Sequence, residues 1–154
     1  MLTEGNQFFD IQDYQKALAK YRSAVYINPD QLNSYYGIGR VYRELGQYEL
    51  ATVAYLKVLY ENPENQASLY QLAECYFALK VYTSAESELI HLIQLNPTNH
   101  TPWVLLGQVY LSQNKKDKAK ESFQKAIQLG GNDCPDCVGK IRDGLSKLST
   151  FNSY

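Results

Sequence analysis

The sequence has no long apolar run and no recognisable leader. No segment reaches the roughly 18 consecutive apolar residues that a membrane-spanning helix needs. Residues 1–6 lack the basic region and apolar core of a signal peptide. We therefore expect a soluble protein that is, by default, cytoplasmic. Because Met1 falls inside the first predicted helix, the sequence leaves open that the native chain extends further upstream.

The sequence also has little net charge, −1 over 154 residues, but that charge is unevenly distributed. Residues 1–100 carry 7 Lys/Arg against 11 Asp/Glu, and residues 101–154 carry 8 against 5. The lysine-rich run 115–120 dominates the positive end. This run contains no interleaved aromatic residue, so we interpret it as the solvated turn and outer face of a helix. No nucleic-acid partner is expected.

Motifs that carry catalysis are missing. The sequence contains no phosphate-binding glycine loop, no H-E-x-x-H and no G-x-S-x-G. Acidic residues are numerous, but they fall at solvent-facing helical positions, so pairing any two as acid and base would be arbitrary. The sequence therefore predicts a protein that is not an enzyme and holds no cofactor.

What the sequence does contain is a fourfold repetition, in which the same residue types return every 34 positions. Four sets of residues recur at this spacing: Gly5, Gly39, Ala73 and Gly107; Ala17, Ala51, Ala85 and Ala119; Phe8, Tyr42, Tyr76 and Tyr110; and Tyr21, Tyr55, Leu89 and Phe123. The units end at Pro29, Pro63, Pro97 and Gly131. A period in this range, with fixed small and aromatic residues, predicts a solenoid built from one repeated supersecondary unit.

Each unit has the pattern of two amphipathic helices joined by a tight turn. In the second unit, apolar residues recur at helical spacing on both sides of Gly46. Gly46 follows the first helix, where a left-handed C-terminal cap is expected. Pro63 ends the second helix, because proline lacks an amide donor. The alanine and glycine positions allow two helices to approach closely, and the aromatic positions fill the gaps beside them.

The last unit resembles the tetratricopeptide repeat most closely. It matches the W-x2-L-G-x2-Y…A-x3-F pattern of that family through Trp103, Leu106, Gly107, Tyr110, Ala119 and Phe123. The resemblance implies an all-α, right-handed solenoid of four helix-turn-helix units, at about 1–31, 32–65, 66–99 and 100–133. A stripe of apolar residues at about 135–149 predicts a capping helix. We expect a single domain over 1–149 and a frayed tail at 150–154.

The resemblance also implies a groove, lined by the first helix of each unit, in which protein partners bind. The positions that line it correspond to Asn6, Phe9, Asn33, Tyr36, Arg40, Arg43, Tyr70, Gln71, Glu74, Phe77, Val104, Gln108 and Leu111. We expect none of these side chains to be needed for packing between repeats. The aromatic and arginine residues among them favour an extended segment or a short helix with apolar anchors.

The family suggests two more specific roles for this groove, a co-chaperone and a secretion chaperone. Family members that bind the acidic C-termini of heat-shock chaperones carry a two-carboxylate clamp, and of its residues only Asn6 is matched here. That role is therefore not expected. The leading hypothesis is a non-enzymatic scaffold or adaptor that binds a peptide or helix of a partner protein. The alternative in the same class is a bacterial secretion-type chaperone that holds an export substrate. The sequence does not determine the oligomeric state.

Cysteine is scarce, and two of the three cysteines form a C-x-x-C pair. Cys75 lies inside a predicted helix and is interpreted as a small core residue. Cys134 and Cys137 lie at a predicted helix start, where the dipole lowers a thiol's pKa. As a zinc half-site the pair needs two more ligands, and His91 and His100 are a full repeat away. A reversible disulfide or a plain capping loop is the simpler interpretation. A thiol redox or shared metal site is the alternative of another class.

Overall fold

A computed structural model describes residues 1–149, so the tail predicted at 150–154 lies outside the described residues. These residues form nine α-helices and one short 3-10 turn at Gly131–Asp133, with no strand among them. The helices are α1 (Leu2–Asp10), α2 (Tyr14–Ile27), α3 (Leu32–Glu44), α4 (Tyr48–Glu61), α5 (Gln66–Ala78), α6 (Tyr82–Leu95), α7 (Thr101–Ser112), α8 (Lys116–Gln128) and α9 (Pro135–Ser149). The predicted all-α repeat fold is confirmed. None of the nine has the length and apolar character required to cross a bilayer.

The turn inside each helical hairpin has the same backbone geometry. One residue per turn lies in the left-handed region: Gln12, Gly46, Lys80 and Asn114, with φ between 58° and 71°. These four residues are 34 positions apart. The predicted left-handed cap at Gly46 is confirmed. Glycine favours this conformation and asparagine tolerates it, so the tertiary structure imposes it on Gln12 and Lys80, which do not favour it.

By the density of their contacts, the described residues form two compact units, 1–79 (unit 1) and 80–149 (unit 2). Unit 1 contains α1 to α5, and its core is built around two tyrosines that are fully buried, Tyr21 and Tyr55. Gly5 and Gly37 lie on two sides of the Tyr21 ring, since a Cβ on either would come within 2.6 Å of it. Gly39 contacts the Tyr55 ring in the same way. The recurring glycines are therefore the surfaces against which the recurring aromatics pack.

Unit 2 contains α6 to α9, and its largest fully buried side chain is Phe123 of α8. Gly107 of α7 and Gly144 of α9 both contact the Phe123 ring. The helix α9 packs against α7 and α8, and its residues Cys137 and Ile141 are buried. The glycine in α9 thus serves the same packing purpose as the repeat glycines, and α9 covers the last hairpin as a capping helix should.

Candidate functional site

Ten of the predicted groove residues lie on α1, α3 and α5 of unit 1. We call the surface that they form the first-helix face: Asn6, Phe9, Asn33, Tyr36, Arg40, Arg43, Tyr70, Gln71, Glu74 and Phe77. Side-chain contacts run along it from helix to helix, because Arg40 of α3 lies over Phe9 of α1 and Arg43 of α3 is bonded to Glu74 of α5. These two contacts link α1 to α3 and α3 to α5 on this face of unit 1.

The guanidinium of Arg40 lies over the aromatic ring of Phe9. The central guanidinium carbon of Arg40 is 3.8 Å from the centre of the Phe9 ring, within the range of a cation–π contact. The ring of Phe9 is in turn 5.5 Å from that of Tyr14. Within residues 1–149 Arg40 forms no ion pair. Its planar fork of donors is held in place without a carboxylate partner.

Arg43, one turn later on α3, is in the opposite situation. Its guanidinium donates to Glu74 at 2.7 Å and to Glu44 at 2.7 Å. Burial disfavours the charged guanidinium, but these two carboxylates outweigh it and hold the pKa of Arg43 above its ordinary value. Burial raises the pKa of Tyr70, and the charge of Glu74 and a hydrogen bond to it add to this effect. The ion pair of Arg43 with Glu74 therefore links α3 to α5.

Part of this face belongs to the core of unit 1. The Tyr36 ring packs at 5.6 Å from the buried Tyr55 ring. This contact joins α3 to α4 inside the second repeat. It therefore shows packing within a repeat and does not test the expectation about packing between repeats. Three buried polar atoms here have no hydrogen-bond partner among the described residues: the Tyr55 hydroxyl, Arg43 Nε and Gln71 Oε1. Burial also strongly raises the pKa of Tyr55.

The remaining residues of the face differ in exposure. Asn6 is exposed, and its Oδ1 accepts a hydrogen bond of 2.7 Å from the Tyr21 hydroxyl. Asn33 is exposed, whereas Phe9, Tyr70 and Phe77 are half-buried. A partner would thus meet half-covered aromatic rings with polar residues at their edges.

The three predicted groove residues of unit 2 lie on α7. Gln108 and Leu111 are half-buried, but Val104 is only 3% exposed and belongs to the core. The prediction that Val104 faces a partner is therefore wrong. Within unit 2, α7 packs against α6, α8 and α9, and this packing covers an apolar side chain that the repeat pattern placed on the surface.

The lysine run behaves as predicted from its pattern. Residues 115–118 and Lys120 are exposed at the turn and outer face of α8. Lys115 forms an ion pair with Glu86 at 3.1 Å. Although burial opposes it, hydrogen bonds from Lys115, Tyr110 and Gln113 hold the pKa of Glu86 below its ordinary value. Burial, with the charge of Glu86 and a hydrogen bond to it, raises the pKa of Tyr110 to about 12.

The cysteines show one confirmed prediction and one correction. Cys75 is fully buried in the core of unit 1, and burial raises the pKa of its thiol to about 11. Cys134 and Cys137 form a disulfide. The prediction that the histidines lie away from this pair is wrong for His100, whose ring nitrogen and the two sulfurs all lie within 4.8 Å of one another.

The repeat spacing of the sequence indicates this cluster, although its residues are far apart along the chain. His100 and Cys134 are 34 positions apart, so they occupy the same place in consecutive repeats. His100 precedes α7, and Cys134 precedes α9. Because each repeat packs on its neighbour, equivalent positions one period apart lie side by side. A distance of one full repeat therefore indicates contact rather than separation.

Known families and structures agree with this architecture. A family model described as "TPR repeat" matches residues 5–42. Models described as "Tetratricopeptide repeat" match residues 32–65, 67–99 and 100–131. No curated protein matches the sequence at a significant level.

Three solved structures illustrate the similarity. TTC0263, a thermophilic TPR protein in Thermus thermophilus, is 24% identical with a TM-score of 0.75, over 99% of this chain and 81% of that one. YrrB, described as a TPR protein with an unusual peptide-binding site, is 21% identical with a TM-score of 0.77, over 96% and 76%. The first TPR of Spaghetti (RPAP3), bound to the HSP90 peptide SRMEEVD, is 22% identical with a TM-score of 0.71, over 80% and 94%. At these identities the likeness shows the fold, and together with the family matches along the sequence it shows that the chain belongs to the tetratricopeptide repeat family.

Proposed function

We propose that this protein is a non-enzymatic interaction module whose first-helix face binds a carboxylate-bearing peptide segment of a partner protein. The observation that carries the proposal is Arg40, which is stacked on Phe9 and forms no ion pair within residues 1–149. Tetratricopeptide repeats are in general scaffolds for protein interaction, and this chain shares their fold. That Arg40 is the binding residue, and that the ligand carries a carboxylate, are the further steps that we propose here.

The two arginines of α3 have different roles in this proposal. Arg43 is already neutralised by Glu44 and Glu74, so it has little charge to offer a ligand. Arg40 is held in position by the ring of Phe9, so it loses less side-chain entropy when a ligand binds. A guanidinium can donate two parallel hydrogen bonds to a carboxylate. Arg40 is therefore the residue that we expect to receive the ligand's carboxylate.

The aromatic residues on either side supply the apolar part of the site. Phe9, Tyr70 and Phe77 are half-buried, so each presents a partly covered ring to a partner. Aromatic rings give a large contact area with few rotatable bonds, and such residues dominate the energy of many protein interfaces. We expect the peptide to place one or two apolar side chains against these rings while its carboxylate contacts Arg40.

The descriptions of two similar proteins support a peptide as the class of ligand without defining which peptide. YrrB is described as having a peptide-binding site, and the Spaghetti repeat is bound to an HSP90 peptide. The clamp residues expected for acidic chaperone tails are not present in this sequence, apart from Asn6. The ligand should therefore differ from an HSP90 tail, with one essential carboxylate and apolar anchors.

The experiment is a peptide-array screen with the purified chain, followed by affinity measurements on the best peptide. Arg40→Gln should weaken binding about tenfold or more, since a hydrogen bond to a charged group contributes about 1.5–3 kcal/mol. Converting the peptide's carboxylate to an amide should weaken binding to the native protein by a similar factor. The same amide should have little further effect on the Arg40→Gln variant, because the two changes remove one interaction.

The matched control is Arg22→Gln on α2, which removes an exposed arginine that bonds the Tyr42 hydroxyl. This variant should bind the peptide as the native protein does. Equal losses for the two arginine variants, or peptides that bind without needing a carboxylate, would contradict the proposal. A screen that returns no short peptide, together with one dominant long client that co-purifies, would instead favour the export-chaperone alternative.

A further inference from the structure

We propose that the reduced form of this protein binds one zinc ion through His100, Cys134 and Cys137. The ring nitrogen of His100 and the two sulfur atoms lie within 4.8 Å of one another. All three residues belong to unit 2, where His100 precedes α7 and the cysteines flank the start of α9. Imidazole and thiolate are the ligand types that zinc prefers in proteins.

The spacing of these atoms is close to what a tetrahedral zinc ion requires. With zinc–sulfur bonds of about 2.3 Å and a zinc–nitrogen bond of about 2.0 Å, neighbouring ligand atoms lie roughly 3.5–3.8 Å apart. The two sulfurs are bonded to each other in the disulfide form, so they must separate on reduction. The nitrogen–sulfur distances, now at most 4.8 Å, then need to shorten by no more than about 1.3 Å.

The local backbone holds the two cysteines close together. The backbone N–H of Cys137 donates to the sulfur of Cys134 at 3.2 Å, and the Cα atoms of the two residues are 5.2 Å apart. Cys134 immediately precedes α9, and Cys137 lies in its first turn. The start of α9 therefore positions both cysteines beside His100.

The exposure of the three side chains indicates how the site would be filled. Cys137 is only 5% exposed, so its sulfur is shielded from water. Cys134 and His100 are half-buried, so one side of the cluster is open to solvent. Three protein ligands leave one position of a tetrahedral ion free. A water molecule is expected to occupy that fourth position.

Metal binding and disulfide formation exclude each other at this site. When zinc binds the dithiol, the two thiols lose their protons and both sulfurs coordinate the ion. A small-molecule disulfide such as oxidised glutathione accepts two electrons from the thiolates. Its own sulfur–sulfur bond breaks to give two thiolates, the bond between Cys134 and Cys137 forms, and zinc is released. A phosphine reverses this step by supplying two electrons. Phosphorus takes an oxygen atom from water, and the two sulfurs take up the protons.

The position of the site gives zinc a structural consequence. His100 is the residue at the start of α7, and the cysteines hold the start of α9. The ion would therefore join the capping helix to the hairpin on which it packs. Because the metal binds the folded arrangement in preference to the unfolded chain, it should stabilise α9. Oxidation would replace this link by one that is confined to the start of α9.

The test is zinc binding by the tag-free 154-residue chain under controlled redox conditions. After reduction by a phosphine, incubation with Zn²⁺ and removal of free metal, elemental analysis should find close to one zinc ion per chain. The oxidised protein should retain almost none. With Co²⁺ as a probe, the reduced protein should show the visible absorption of a tetrahedral site and a near-ultraviolet thiolate charge-transfer band. His100→Ala should lower the zinc affinity about 10-fold or more, since even losing an outer-shell partner costs about 10–100-fold.

The matched control is His91→Ala, which removes the other histidine of unit 2 and should leave the affinity unchanged. Circular dichroism of each variant shows whether it remains folded. The Co²⁺ spectrum of the native protein tests the site without any substitution. A reduced native protein that neither retains zinc nor gives these absorption bands would overturn the proposal. Equal losses of affinity in the two histidine variants would do the same.

Discussion

The glycine at position 39 gives the sharpest test of how the repeat is packed. A Cβ atom at Gly39 would lie 2.6 Å from Cε1, 2.8 Å from Cζ and 2.9 Å from Cδ1 of Tyr55. Tyr55 is fully buried, and the Tyr36 ring lies 5.6 Å away from it. The ring therefore cannot retreat without displacing its neighbours. The Gly39→Ala variant should be destabilised because its added methyl group overpacks this contact.

The expected loss is the difference between two opposing effects. Overpacking a core contact typically costs about 1–3 kcal/mol. Replacing glycine by alanine inside a helix stabilises the folded protein by up to about 1 kcal/mol, because alanine has the higher helix propensity. Because all three ring atoms lie below 3 Å, we expect overpacking to dominate and the net loss for Gly39→Ala to be about 1–2 kcal/mol. Urea unfolding followed by far-ultraviolet circular dichroism measures this loss as a lower midpoint.

Gly139 provides the matched control. It lies within α9 and is exposed, and a Cβ there would have no neighbour within 4 Å. Gly139→Ala should therefore raise the stability of the protein by about 0.5–1 kcal/mol. The two substitutions are chemically identical and differ only in what the new methyl group meets. A Gly39→Ala variant as stable as Gly139→Ala would refute the packing argument.

The sequence itself suggests a compensating change. At the positions equivalent to Gly39 and Tyr55, the third repeat has Ala73 and Leu89. Tyr55→Leu removes the ring atoms that the new methyl group would meet. The double variant Gly39→Ala/Tyr55→Leu should therefore lose less stability than the sum of the two single variants, by about 0.5–3 kcal/mol. Simple additivity would show that the two positions do not interact.

Two further predictions concern charge and backbone geometry. Glu86→Gln should lower the stability by about 1 kcal/mol at pH 7, because it removes the partner of Lys115. The pKa of Glu86 is lower in the folded state than its ordinary value of 4.5. The stability that Glu86 contributes is therefore present above pH 4.5 and is lost as the pH falls through the folded-state pKa. A difference in stability between Glu86→Gln and the native protein that persists unchanged at pH 3 would contradict this. Gln12→Gly should raise the free energy of unfolding by about 0.5–1 kcal/mol, because φ at Gln12 is 61°, in the left-handed region that favours glycine. The measurement is a higher urea midpoint. Asn114→Gly should gain less, since asparagine tolerates this conformation, and equal gains would count against the backbone explanation.

The packing of the repeats could be predicted because it depends on residue size at fixed spacing. Glycine or alanine opposite a buried aromatic ring is a local rule, and it recurs with the period of the repeat. The left-handed turn residues show the limit of such rules. Gly46 was predicted because glycine favours the conformation, whereas Gln12 and Lys80 do not reveal it by type. Their repeat position, and not their chemistry, determines their backbone geometry.

The candidate sites were predicted less completely. The repeat position identified Arg40 and Arg43 as facing the same way, but only the side-chain contacts show that Arg43 is neutralised and that Arg40 is not. A side chain's partner depends on rotamers and on residues 31 positions away, as for Arg43 and Glu74. Val104 was misplaced for a related reason, because its repeat position indicates the groove whereas its side chain is buried in the core of unit 2.

The sequence by itself determined the family, the helical hairpins and the residues that pack between them, because its regular period repeats one local solution four times. Only the tertiary structure decided which polar groups meet: Arg40 on Phe9, Arg43 with Glu74, and His100 beside the two cysteines. Local periodicity fixes which side of a helix a residue occupies. The distance between two atoms on different helices depends on how those helices pack, and that information is spread over the whole unit.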